Sequence, residues 1–512
     1  MKNSSEQESV AELQEYNMDH SVCTPLELKA WYSFGVAAEG FSAMAVSVFF
    51  PLILQSLAAN EAFKSDNHKI KCNTTDAYKC DVNIGGKYID TSALVLYATT
   101  ISVFIQFILF SILGSVADYG PNRKKFLMFF GVSTGLVGFC MIFVVNTSMY
   151  LMAFLIYIVS NTFFGASFVF YYAWVPILAR YSPEVLEAET KSTDLAEKHL
   201  VSERVSNEIS SKGFFYGYMT GVAQIILSSV FVLYIGSGTA WNLPEVYPMQ
   251  MCVAAVCVWE VAVLLGFTGR HLKSRPGPPL PAGKNYIVFS IQNLAKTLSE
   301  ARQQPELFKF LIAWFLYSDA FCTVVSIAIL FAQAELGASN IILLASAVIV
   351  PLGAGIGNIL WVRFQNHYQL STIRILIMQA CLYLVMPVYG LLGFFTPIGL
   401  RTASELLPLA VYHGLLLGAT QSSCRVLFSE LLPPGHEAEF FGLYEITDKG
   451  SAWVGPLMVA LITQFTGNMR YSFVFIGILF FFPIFIFSNI DVAKGKKEAK
   501  AYSDKTKALK LS

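Results

Sequence analysis

The chain has 512 residues, 55% of them hydrophobic and 14% charged, with 35 basic and 35 acidic side chains that cancel to a formal net charge of zero. Mean hydropathy is +0.54, too apolar for a water-solvated globule of this length, so lipid must cover part of the surface. Neutral balance and the absence of a long basic stretch exclude nucleic acid as a partner.

Apolar runs of about 20 residues, the length that crosses a bilayer, fall near 29–59, 91–117, 126–146, 150–179, 213–236 and 249–269. A second set falls near 308–334, 340–362, 372–395, 403–429, 441–466 and 470–490. The first run follows a polar tail and is too long for a signal-peptide core, so it stays as a helix. These spacings predict a tail at 1–28, a six-helix bundle at 29–269 with an outer loop at 60–90 and an inner loop at 181–212, a Pro-rich linker at 270–307, a second bundle at 308–490 and a basic tail at 491–512. Lys and Arg collect after the even-numbered runs, as in Arg123 to Lys125, Lys191 to Lys212 and Arg270 to Arg302, and again in Lys494 to Lys500. The positive-inside rule therefore places both termini in the cytosol, with Arg401 and Arg470 as exceptions on the other side.

The 60–90 loop carries Cys72 and Cys80 beside the sequon Asn73-Thr74-Thr75. In an oxidising lumen this allows a disulfide closing a small loop and a glycan on Asn73; the alternative is two free thiols and an unused sequon. The remaining cysteines lack metal-ligand spacing and read as packing residues.

Between the second and third runs lies GSVADYGPNRKK, Gly114 to Lys125, with one acid, Asp118, a basic triplet from Arg123, and glycines suited to close packing and a tight turn. It resembles the signature loop of the major facilitator superfamily. The fold class expected is an all-α polytopic membrane protein with the major facilitator superfamily fold, about twelve transmembrane helices in two six-helix bundles. The counterpart in the second half, near GNILWVRFQNHYQL, keeps Gly357 and Arg363 but has Trp361 where an acid would fall, so it reads as a degraded copy. Placing the first run over the seventh aligns Glu39 with Asp319 and Phe41 with Phe321, as parallel repeats would.

Glu39 and Asp319 each sit about ten residues into an apolar run, or about 15 Å deep at 1.5 Å per residue. Carboxyls at that depth are costly unless they face water or a partner. They are the candidates for proton coupling or for holding a substrate amine, against a purely structural hydrogen-bonding role. Gly213, Gly217 and Gly221 recur every four residues and let another helix approach closely. On the eleventh run Glu445, Asp448 and Lys449 share a face, and Arg425 and Glu430 end the tenth. With Asp118 and Arg123 they form a candidate cytosolic gate or latch, or else a set of side chains anchored at the boundary.

There is no GxxxxGK[ST] loop and no His-Glu-x-x-His pair. Neither enzymatic activity nor a cofactor is expected, and transport would draw on a gradient. The opening ELKAWYSFGVAAEGFSAMAVSVFF, the ISSKGFFYGY and FLYSDAF segments and above all FFGLYEITDKGSAWVGPL resemble the fungal autophagy-related vacuolar amino-acid effluxers. That resemblance implies a multi-pass vacuole membrane protein whose partners are lipid and small amino acids, releasing neutral ones such as leucine, isoleucine and tyrosine to the cytosol. A carrier for another solute, or a non-transporting scaffold or nutrient sensor on the same fold, stays open beside it.

Overall fold

The computed structural model of the chain describes residues 21–64, 67–72, 80–191, 195–236, 243–277, 303–334, 336, 340–451 and 454–511. The first helix, α1 (Pro25–Glu61), begins upstream of the apolar run. Thr24 accepts the Glu27 N–H through its hydroxyl at 3.2 Å, and Pro25 takes the first position, where its missing N–H costs nothing. Just after Glu39 the helix widens into a π-helical stretch, Phe41–Phe49, a distortion that recurs at functional sites.

Between α1 and α2 (Thr91–Ala117) four short strands form an antiparallel sheet: β1 (Phe63–Lys64), β2 (Asn67–Lys71), β3 (Cys80–Ile84) and β4 (Lys87–Asp90), in the order β2-β1-β3-β4. Asp81 pairs with Asp90 and Val82 with Ile89 across the β3–β4 hairpin. Cys72 and Cys80 are joined by a disulfide with Cα atoms 5.9 Å apart. Asn73 lies outside the described residues.

The first half continues with α3 (Asn122–Phe139), α4 (Tyr150–Tyr172, prolonged by Trp174–Arg180), α5 (Leu195–Ile235) and α6 (Tyr247–Val263). The second holds α7 (Pro305–Ala334), α8 (Asn340–Tyr368), α9 (Thr372–Tyr383 and Val385–Leu392), α10 (Leu406–Leu431), α11 (Glu437–Ser451 and Val454–Thr466) and α12 (Ser472–Ser488). The polar stretch at 181–212 is largely helical: Pro183–Lys191 forms a short helix, to which Lys198 and Arg204 of α5 bond through Glu189 and Glu184, and further along α5 Asn207 reaches the second half. The basic tail likewise forms a helix, α13 (Val492–Leu511).

The two halves meet where α2 runs along α11 and α5 along α8 and α10. Glycine permits the first contact, since a Cβ on Gly114 would lie 3.1 Å from the Ala438 carbonyl and one on Gly442 3.2 Å from that of Phe110. Phe104, Phe129, Leu227 and Phe485 point outward and are more than half exposed, the surface a lipid solvent requires. Ten of the described helical segments are long and apolar enough to cross a membrane. The more polar α10 and α11 complete the two bundles of six.

On the face opposite the termini, the two exceptional arginines are tied to backbone. Arg401 donates to the Gly393 carbonyl at 2.6 Å, and Arg470 donates to those of Gly390, Gly399 and Leu400 at 2.6–2.8 Å. Glu405 closes the knot by accepting from the N–H groups of Gly399 to Thr402 and from the Tyr389 hydroxyl at 2.6 Å. These arginines cap carbonyls around Leu400, itself at φ 57°, instead of setting topology.

Candidate functional site: the face between the halves

On the face that carries the termini, Asp118 reaches from the α2–α3 turn into the other half. Its two oxygens accept the Ala438 and Glu439 N–H groups at 2.9 Å, so it caps the start of α11. Arg123 donates to Asp118 at 2.6 Å and to Glu437 at 3.2 Å, and Arg180 donates to the other Glu437 oxygen at 3.1 Å. Both acids are almost wholly buried, as charges here can be only when paired and hydrogen-bonded. Burial opposes ionisation of Glu437, but Arg180 and Arg123 outweigh it and hold the carboxyl below its ordinary range. Gly120, at φ 56°, makes the turn that aims Asp118, and its carbonyl accepts the Gly277 N–H at 2.9 Å from the irregular segment leaving α6.

A second contact of the same kind stands on the other side of the interface. Glu203 of α5 accepts the Thr372 N–H at the start of α9, and Asn207 donates to the Thr372 hydroxyl at 2.7 Å. Here the acid belongs to the long helix and the capped terminus to the loop. Further in, the hydroxyls of Ser210 and Ser422 lie 2.8 Å apart, Ser211 donates to Asn358 at 3.0 Å, and Tyr218 donates to Gln421 at 2.7 Å. The halves are zipped together on this face.

Glu39 and Asp319 hold matched positions, each fourteen residues beyond the first residue of its helix, Pro25 and Pro305. Their surroundings differ. Glu39 lines a small cavity with Trp31, Tyr171, Tyr172 and Phe214, about 10 Å³ in volume and room for no more than a water. Gly217 makes the space beside it, since a Cβ there would stand 2.6 Å from the Glu39 Cγ. Asp319 instead accepts the Gly455 N–H at 3.1 Å and caps the second helix of α11.

Of the group expected around α10 and α11, Arg425 has Glu445 and Asp448 within electrostatic reach, while Glu430 turns elsewhere. Arg425 lies buried against aromatic rings of the first half, its guanidinium 3.7 Å from the Tyr172 ring centroid and 4.4 Å from that of Phe214. Glu430 pairs with Lys496 of α13 at 3.0 Å. Asp448 accepts the Ser318 hydroxyl, and Glu445 is buried. The side chain of Lys449 lies outside the described residues.

Sequence reasoning passed over Glu437 and Arg180, which pair with each other from distant parts of the chain, and Glu203, whose partner is a main-chain N–H. It also passed over the buried pair Glu27 and Arg275, doubly bonded at 2.8 Å, and Glu260 on α6, fully buried with neither carboxyl oxygen hydrogen-bonded among the described residues. The last was legible as an acid inside an apolar run. No group of metal-binding side chains occurs among the described residues.

Solved structures show which class of fold this is. The chain is similar to the proton:xylose symporter XylE of the major facilitator superfamily, with a TM-score of 0.62 and 13% identity over 93% of this chain and 98% of that one. It is also similar to a bacterial homologue of the iron transporter ferroportin, at 0.59 and 12% over 91% and 99%. Two bundles of six joined through α2–α11 and α5–α8 are thus a major facilitator fold. Autophagy-related protein 22-1 of Phaeosphaeria nodorum is 34% identical over 95% of this chain and 94% of its own. Autophagy-related protein 22 of Coccidioides immitis is 31% identical over 94% and 89%. The family described as Vacuole effluxer Atg22 like matches residues 24–500, and the chain belongs to it.

Proposed function

We propose that this protein releases amino acids, neutral ones such as leucine, isoleucine and tyrosine, from the vacuole lumen to the cytosol by alternating access. The observation that carries this reading is the pairing of a closed face, held by Asp118 and Glu203 across the halves, with a half-buried acid, Glu39, that lines a small aromatic cavity of the first half. A carrier must break such contacts on one face to admit or release its solute. The vacuole enters through the family's description, and autophagy through the names of its relatives.

Both termini are assigned to the cytosol. The lysines of α13 and the Arg123 loop share one face, and the disulfide between Cys72 and Cys80 stands on the other, as an oxidising lumen favours. Asn73 is the glycosylation site proposed there. Glu39, with Asp319, is proposed to carry the proton: the acidic lumen loads a carboxyl that discharges toward the neutral cytosol, driving symport outward. Arg425, Glu430, Glu445, Asp448 and Lys449 are assigned to the gating region beside the Asp118–Arg123 latch.

Vacuolar vesicles prepared with and without this chain, preloaded with labelled leucine, should differ in leucine release, and acidifying the lumen should increase it. Equal release from both overturns the reading; release that depends on the chain but persists unchanged in Glu39→Gln and Asp319→Asn removes the proton step alone.

A further inference from the structure

Arg425 stands apart from the other buried cations. Arg123 and Arg275 each donate to a carboxylate. Arg425 is 8% exposed, yet its Nε and Nη1 groups find no acceptor among the described residues. Glu445 and Asp448 of its own half act on it electrostatically without accepting from either group, and its close contacts are with ring faces, Tyr172 on α4 and Phe214 on α5. A guanidinium stacked in this way has its flat faces occupied while its N–H groups point outward in the plane, the edge that a carboxylate takes in paired hydrogen bonds. Buried donors left without an acceptor are costly, and attraction to a ring offsets only part of that cost.

The same two rings wall the cavity that Glu39 lines. An acid on α1 of one half and a base on α10 of the other therefore flank one aromatic wall. The face beyond them is the zipped one, where Ser210 meets Ser422.

We propose that Arg425 and Glu39 are the two poles of a zwitterion subsite that widens as the closed face parts: the Arg425 guanidinium receives an α-carboxylate, the ionised Glu39 receives the α-ammonium while Asp319 holds the coupled proton, and the Tyr172 and Phe214 rings lie against the apolar side chain. This rests on the amino-acid reading above and adds to it the groups that recognise the substrate. Because the poles belong to different halves, a bound zwitterion bridges them, whereas a ligand lacking either charge engages one half only. Recognition through the backbone charges leaves the side chain selected loosely, by apolar contact.

The test uses the full chain reconstituted in proteoliposomes, with counterflow of labelled leucine competed by leucine, leucinamide and isocaproate. Leucinamide lacks the carboxylate and isocaproate the ammonium. With wild-type protein each should compete at least about tenfold more weakly than leucine, the loss expected for one hydrogen-bonded charge. In Arg425→Lys, which keeps the charge but not the planar fork, leucine counterflow should fall about tenfold or more and the gap between leucine and leucinamide should close. In Glu39→Gln the gap between leucine and isocaproate should close. Equal competition by leucinamide in wild type, or wild-type counterflow and discrimination in Arg425→Lys, overturns the assignment of Arg425 while leaving amino-acid transport standing. Absence of leucine counterflow in wild type, with another solute exchanged instead, overturns the amino-acid reading and this inference with it. The wild-type competition series needs no variant, so poor folding of Arg425→Lys does not shelter the proposal.

Discussion

The two contacts that close the termini face make an informative pair. In the first, an acid on a tight loop, Asp118, caps a helix of the other half and is braced by Arg123 and Glu437. In the second, an acid on a long helix, Glu203, caps the start of α9, and the loop beside it supplies only the terminus. The helices correspond under the repeat, α3 to α9 and α5 to α11, but carboxylate and N–H have exchanged sides. What looked in sequence like the loss of the second signature loop is a transfer of its acid to the partner helix. The first contact is a network of paired charges and the second rests on neutral donors, so removing a member should disturb them unequally.

Breaking the first contact should have the largest effect. Asp118→Ala leaves Arg123 short of a partner and two helix N–H groups uncapped, a change worth about 3–5 kcal/mol for a buried pair. A Ser422→Cys reporter, buried opposite Ser210, should then be labelled by a soluble maleimide from that face, and it should stay protected in the parent. The second contact should weaken by less: Glu203→Ala removes an acceptor from a neutral N–H, about 1–3 kcal/mol, and labelling should be intermediate. Equal labelling in the two variants would break the comparison. Gly114→Ala should follow at about 1 kcal/mol, because the new Cβ meets the Ala438 carbonyl at 3.1 Å and α2 must shift slightly.

The smallest expected change concerns pH. With the Glu437 carboxyl held below its ordinary range, its contribution is fully present above about 4.3 and is lost only as pH falls through the lowered value. Burial pushes the Asp118 carboxyl up to about 6 despite Arg123, so its protonation favours the closed face and reporter labelling should fall modestly from pH 7 to pH 5.5; in Asp118→Asn the two values should match, and a rise there would show that Glu437 does not hold the latch. The opposite face follows the sign of Glu437. Burial opposes the charge on Glu405, but the Tyr389 hydroxyl and the Thr402 side chain and N–H hold it at about 2, so the knot around Leu400 persists in an acidic lumen.

Much of the fold could be read from the chain because crossing a bilayer imposes a length on every apolar run. The matched depth of Glu39 and Asp319 was legible for the same reason, since each is counted from its own helix. Their different surroundings were not: whether an acid lines an aromatic cavity or caps a helix depends on partners such as the Gly455 N–H, which carries no side-chain signal. Asp118 and the Ala438 N–H are 320 residues apart, so no local pattern joins them. The separation of Glu430 from Arg425 and Asp448 had a related cause. Helical spacing fixes which face a side chain shares, but Glu430 turns to Lys496 only because the basic tail folds back as α13.

That folded-back helix makes the closed face a three-part contact. Ser503 donates to the Pro434 carbonyl at 2.8 Å, and Tyr502 packs edge-on against His436 and Phe440, beside the residue that pairs with Arg123. The turn into α11 is thus gripped from two directions, by the first half through Asp118 and by the basic tail through Ser503 and Tyr502. Parting the halves leaves the second grip in place, so the start of α11 keeps its shape for the return.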